Sequence, residues 1–94
     1  MAKPEAAARI VARGKVQGVG FRYFVLQRAQ EMRLRGFTRN IANDEIEVVA
    51  EGDKLFIEDL FKAVQKGPSS SKIIDVTIAW REPTDRYKTF EIKR

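Results

Sequence analysis

The chain has 94 residues and contains neither cysteine nor histidine. Without cysteine it can form no disulfide and no thiolate metal site, which fits a reducing compartment. Without histidine it lacks the commonest general base and the commonest metal ligand. Serine–histidine and cysteine–histidine catalysis are therefore excluded within this chain. No stretch approaches the roughly 18 apolar residues that cross a bilayer. The N-terminus MAKPEAAAR holds a lysine and Glu5 but no long apolar run, so it does not read as a signal peptide. Together these absences predict a cytoplasmic protein.

What is present suits one folded domain. Hydrophobic residues make up 44% and aromatics 10%, enough for a packed core. Chains this short rarely divide their core, so residues 1–94 are read as a single domain, with residues 1–7 as a flexible extension. The net charge of +5 is unevenly spread. Residues 1–43 carry nine lysines and arginines against Glu5 and Glu31, a net +7, whereas residues 44–94 carry nine against eleven acids, a net −2. The positive half invites an anionic ligand, although solvated surface arginines explain the charge equally simply.

Apolar spacing gives the order of elements. ARIVAR (8–13) alternates, with Ala8, Ile10 and Ala12 on one face, and predicts a strand ending at Gly14. Phe21, Val25, Ala29 and Met32 recur at helical spacing, and Gly36 suits the end of that unit. GFTRN (36–40) and EIEVVAE (45–51) read as strands joined through Asn43-Asp44, a pair that tolerates the positive φ of a tight turn. In the second of these strands Ile46, Val48 and Ala50 share the apolar face, which leaves Glu45, Glu47 and Glu51 as a solvated one. Asp53 is the expected N-cap of a helix KLFIEDLFKAVQK, with Ile57, Leu60, Phe61 and Val64 as its buried stripe and Gly67-Pro68 as its stop. KIIDVTIAWR (72–81) sets Ile74, Val76, Ile78 and Trp80 on one face, and YKTFEIKR closes with Phe90 and Ile92 alternating. Phe21, Phe61, Trp80 and Phe90 read as core. The predicted fold is α+β, a two-layer ferredoxin-like sandwich: βαββαβ with a short extra terminal strand, an antiparallel sheet and two helices on one face.

GKVQGVGFR (14–22) falls between the first strand and the first helix. Helix N-termini present unpaired N–H groups and partial positive charge, so they attract anions. Gly18 and Gly20 allow the backbone amides to turn inward, and Arg22 offers a planar fork that matches phosphate oxygens. The stretch is neither G-x-x-x-x-G-K-[ST] nor G-x-G-x-x-G. On these grounds a phosphate site and a plain connecting turn both remain open.

GKVQGVGFR resembles the signature loop of the acylphosphatases, and GFTRNIANDEIE resembles that family's second signature. The order of elements, AEG after the third strand, KGPSSSKI after the second helix and the closing FEIKR are similar as well, so the likeness covers residues 8–94. It implies hydrolysis of a carboxyl-phosphate anhydride to a carboxylate and inorganic phosphate, which would also be a competitive inhibitor. The essential arginine of the first motif is here Arg22, and the essential asparagine of the second, which orients water, is Asn40. Gln17, Gly18, Val19 and Gly20 inherit the role of holding phosphoryl oxygens through the loop amides. No metal and no organic cofactor is expected. Asp44 stands where the family has a turn glycine, and Thr38 stands where valine or alanine is usual; both changes bear on hairpin geometry more than on chemistry.

Two rivals keep the fold but not the activity. RGFTRNI (35–41) begins like a pattern of RNA-recognition domains, but Thr38 and Arg39 fall where a small residue and an aromatic are needed. A nucleic-acid-binding module is thus disfavoured. Acylphosphatase-like domains also open larger carbamoyl-transfer proteins as regulatory modules. This chain ends at Arg94 with no zinc-finger or transferase sequence behind it, so a standalone monomeric enzyme acting on small acyl phosphates, without membrane contact, is the expectation.

Overall fold

The computed structural model describes residues 5–94. The order is β1 (Glu5–Lys15), α1 (Phe21–Glu31), β2 (Arg35–Ala42), β3 (Glu45–Asp53), α2 (Lys54–Lys66), β4 (Lys72–Arg81) and β5 (Phe90–Ile92). β1 begins earlier than alternation suggested: Ala7 already pairs with Glu51 and Arg81. Residues 1–4 of the expected extension lie outside the described residues. No helix among the described residues is long and apolar enough to cross a membrane.

The sheet runs β4-β1-β3-β2-β5. Its first four strands pair antiparallel, as expected, whereas β5 joins β2 in parallel, so the sheet is mixed. Ala8, Ile10 and Ala12 of β1 and Ile46, Val48 and Ala50 of β3 form one buried face. Phe21, Val25 and Ala29 of α1 and Ile57, Leu60 and Val64 of α2 pack on that face in one core cluster. Burying each large apolar side chain contributes about 1.5–3 kcal/mol, so both helices are held by their stripes. α1 ends at Glu31, and Arg33, at φ 56°, makes the left-handed turn instead of Gly36.

Three sequence readings are overturned by long-range geometry. A bulge between Arg13 and Gly14 shifts the β1–β4 register, so Gly14 faces Ile73. The extra residue turns Ile73 toward the core and leaves Ile74 exposed. Trp80 lies on an edge strand and is 44% exposed, with the Lys54 ammonium 5.4 Å from its ring centre. Glu47 and Glu51 are buried rather than solvated, because the sheet's second face is covered too. The segment between β4 and β5 joins opposite edges of the sheet, and on its way Tyr87 stacks edge-on against Phe37. Glu51 accepts hydrogen bonds from the Thr84 and Asp85 amides and from the Thr84 hydroxyl. Glu47 accepts from Arg9 and, at 2.6 Å, from Arg39.

Candidate active site

The loop between β1 and α1 is anchored at both ends. Val16 and Phe21 are each 1% exposed and belong to the core, which leaves residues 17–20 to bridge them. Gly18 and Gly20 have φ of 73° and 74°, and a Cβ at either would meet nothing within 4 Å. Glycine is therefore suited here by backbone conformation and not by crowding. Among the described residues the amides of Gln17, Gly18, Val19 and Gly20 have no backbone acceptor.

α1 then starts without a cap. Gly20 offers no side-chain hydrogen bond, and the first turn contains no acid. Its partial positive charge is not offset; Arg22, in that same turn, adds a full cation against the helix dipole. No ion pair occupies the Arg22 guanidinium among the described residues. Gln17, Gly18, Gly20 and Arg22 line one cleft of about 460 Å³. Tyr23 of α1, Ile92 at the end of β5 and Arg94 beyond it stand in the same wall. Val19 does not line it; its side chain packs against the core.

Asn40 is exposed near the end of β2 and is not part of the cleft wall. It pairs with Ile46 and Thr38 pairs with Val48, so both lie on the helix side of the sheet. Thr38 is fully buried, and its hydroxyl donates to the Glu47 carbonyl at 2.8 Å, which satisfies the added polar atom. Two contacts bring this strand end toward the loop. The Gln17 side-chain amide donates to the carbonyls of Ala42 and, at 3.1 Å, Glu45, on either side of the hairpin turn. The Gly14 amide donates to the Asp44 carbonyl at 2.9 Å. Gln17 thus spends its side chain on the hairpin and leaves only its backbone amide to the cradle. Arg39, next to Asn40, points to the other face, pairing with Glu47 and lying 5.6 Å from the Phe37 ring centre.

Charge around the Glu47 carboxyl acts in opposing directions. Burial pushes its pKa up, but the hydrogen bonds and charges of Arg9 and Arg39 leave it below its ordinary value. Glu51 follows the same balance, burial opposed by the Thr84 and Asp85 donors.

The Acylphosphatase family model matches residues 8–92. The chain belongs to the acylphosphatase family. An acylphosphatase of Bacillus licheniformis is 40% identical over 84 residues, which span 89% of this chain and 93% of that protein. The crystal structure of acylphosphatase from Bacillus subtilis superposes with a TM-score of 0.90 at 32% identity, covering 95% of this chain and 99% of that one. Full-length HypF, solved in a phosphate- and nucleotide-bound form, matches with a TM-score of 0.88 at 30% identity, over 100% of this chain and 12% of that one. The protein is accordingly an acylphosphatase-type enzyme, a hydrolase. The hairpin departure from the acylphosphatase pattern has a visible structural form. Neither Asn43 nor Asp44 has positive φ; the β2–β3 register instead slips by one residue between Asn40 and Ala42. The bulge does what a turn glycine would otherwise do, next to Asn40 itself. Phe37 is only 8% exposed beneath Tyr87, Arg39 and Lys93, so it offers no open stacking surface for RNA.

Sequence reasoning missed the Gln17 side chain, Tyr23, Ile92 and Arg94 as parts of this site. Alternation in FEIKR already put Ile92 and Arg94 on one face. The parallel pairing of β5 with β2, which brings them to the loop, leaves no local mark.

Proposed function

We propose that the enzyme hydrolyses small acyl phosphates to a carboxylate and inorganic phosphate, with the phosphoryl group held at the uncapped start of α1. One observation carries this reading: two positive-φ glycines, amides that have no backbone acceptor among the described residues and Arg22, unpaired among them, converge at a helix N-terminus that has neither cap nor acid. Phosphoryl transfer runs through a loose transition state and is accelerated mainly by positioning and charge stabilisation. The amides of residues 17–20 and the Arg22 fork would meet the equatorial oxygens as their charge grows. Asn40 has no accessible proton to trade, but its amide can accept from and orient the attacking water. The leaving carboxylate has a conjugate acid of pKa about 4, so it departs without a general acid. The proton of the water passes to a phosphate oxygen of the substrate. A chain without histidine can therefore do this chemistry.

The reading includes a monomeric, cytoplasmic enzyme that needs no metal and is inhibited competitively by inorganic phosphate. A second reading, in which the same unit serves inside a larger protein, is favoured by the match of this whole chain to 12% of HypF. Turnover by the isolated chain separates the two. The test is benzoyl phosphate hydrolysis with a chelator present, for wild type, Arg22→Ala and Asn40→Ala. Each variant is expected to lose at least about a hundredfold in kcat/KM, as when one oxyanion donor is removed. Variants as active as wild type would overturn the assignment.

A further inference from the structure

Of the cations in this chain, Arg9, Arg13, Arg35 and Arg39 are held by carboxylates. Arg22 and Arg94 are not, among the described residues, yet both line the same cleft. Arg94 is placed there by the sheet. Ile92 pairs with Thr38, and the Lys93 amide donates to the Thr38 carbonyl at 2.9 Å, so the chain continues alongside β2 as far as the level of Asn40. Side chains alternate along such a chain. Lys93 turns to the far face, 4.2 Å from the centre of the Phe37 ring, and Ile92 and Arg94 turn into the cleft. The cleft that holds the phosphoryl cradle thus also contains exposed apolar surface from Ile92 and Tyr23, 37% and 59% exposed, and a second guanidinium carried beyond β5.

We propose that Arg94 forms a subsite for a second anionic group, so that the preferred substrates are acyl phosphates whose acyl part carries its own carboxylate or phosphate. This rests on the acyl phosphate reading above. One cation suffices for the phosphoryl cradle; a second in the same cleft, carried beyond β5 and with apolar side chains in the same wall, matches a dicarboxylic monophosphate better than a simple aliphatic or aromatic acyl phosphate. Two charged ends also fix the orientation of the acyl group, because a guanidinium binds carboxylate through two parallel hydrogen bonds.

The experiment measures equilibrium binding, without turnover. The probes are the methylene phosphonate analogues of succinyl phosphate and of butyryl phosphate, which differ by a carboxylate in place of a methyl. Wild type is expected to bind the succinyl analogue about fivefold more tightly, a modest factor because the arginine is exposed. Arg94→Ala should bring that preference close to one, Arg94→Lys should keep part of it, and raising salt from about 20 to 500 mM should weaken it. An unchanged preference in Arg94→Ala overturns the proposal. So does an equal loss for both analogues, which would mean that Arg94 grips the phosphoryl group. The benzoyl phosphate assay is read separately, so absence of hydrolysis would count against the proposed function and not against the subsite.

Discussion

The two helices begin in opposite ways. α2 starts at Asp53, whose backbone is extended and whose carboxylate accepts from the Leu55 amide at 2.9 Å. α1 starts at Gly20, left-handed and without a side-chain cap, behind a loop whose amides have no backbone acceptor among the described residues. Both helices follow a strand and pack on the same face of the sheet. One N-terminus is satisfied from within the chain and contributes stability; the other is left open and gives up that stability for an anion site. A helix start lacking its cap, in a chain that caps its other helix well, is thus a functional signal.

The comparison can be broken at several points. After the hundredfold losses expected for Arg22→Ala and Asn40→Ala, the next largest effect should come from placing at α1 the acid that α2 already has. Gly20→Asp strains a left-handed position and puts a carboxylate in the cradle, so the inhibition constant for inorganic phosphate should rise at least about tenfold. An unchanged constant would mean that phosphate binds elsewhere. Gln17→Ala removes two hydrogen bonds, each worth about 1 kcal/mol, that hold the hairpin carrying Asn40. Steady-state kinetics should show kcat falling about tenfold with little change in KM. Asp53→Ala, in contrast, should cost about 1 kcal/mol in urea denaturation and leave benzoyl phosphate turnover as it is.

The smallest effect concerns the scaffold under both helices. The Glu47 carboxyl is held below its ordinary value of 4.5, so it stabilises the fold fully above that pH. That stability should disappear as pH falls through the lower folded value. Denaturation curves between about pH 2 and pH 6 should therefore be less steep in pH for Glu47→Gln than for wild type.

How much of this was readable in the chain depended on distance along it. α2 was legible in its bounds and caps, from Asp53 to Gly67, because those signals are local; of the expected stripe Ile57, Leu60 and Val64 are buried and Phe61 only partly so. So were the glycine loop and the position of Arg22. Asn40 was placed on the inner face by alternation, and β3 confirms the register. The end of α1 failed locally, because Arg33 and not Gly36 takes the left-handed turn; the other failures come from distant partners. Ile74 was misplaced because a bulge at Arg13 and Gly14 decides which of two neighbouring isoleucines turns inward. Glu51 looked solvated because the segment that covers it lies more than thirty residues away, and Glu47 because its partners Arg9 and Arg39 come from two other strands. Arg94 was overlooked because its neighbours in the cleft belong to α1 and the loop before it.

The most direct test of the contrast is a titration with inorganic phosphate, followed by amide chemical shifts in both helices at once. Saturable shifts should appear at residues 17–22 and be absent at residues 54–57, where the Asp53 carboxylate already accepts from the Leu55 amide and repels an anion. Shifts of equal size at both helix starts, or none at the loop, would contradict the account.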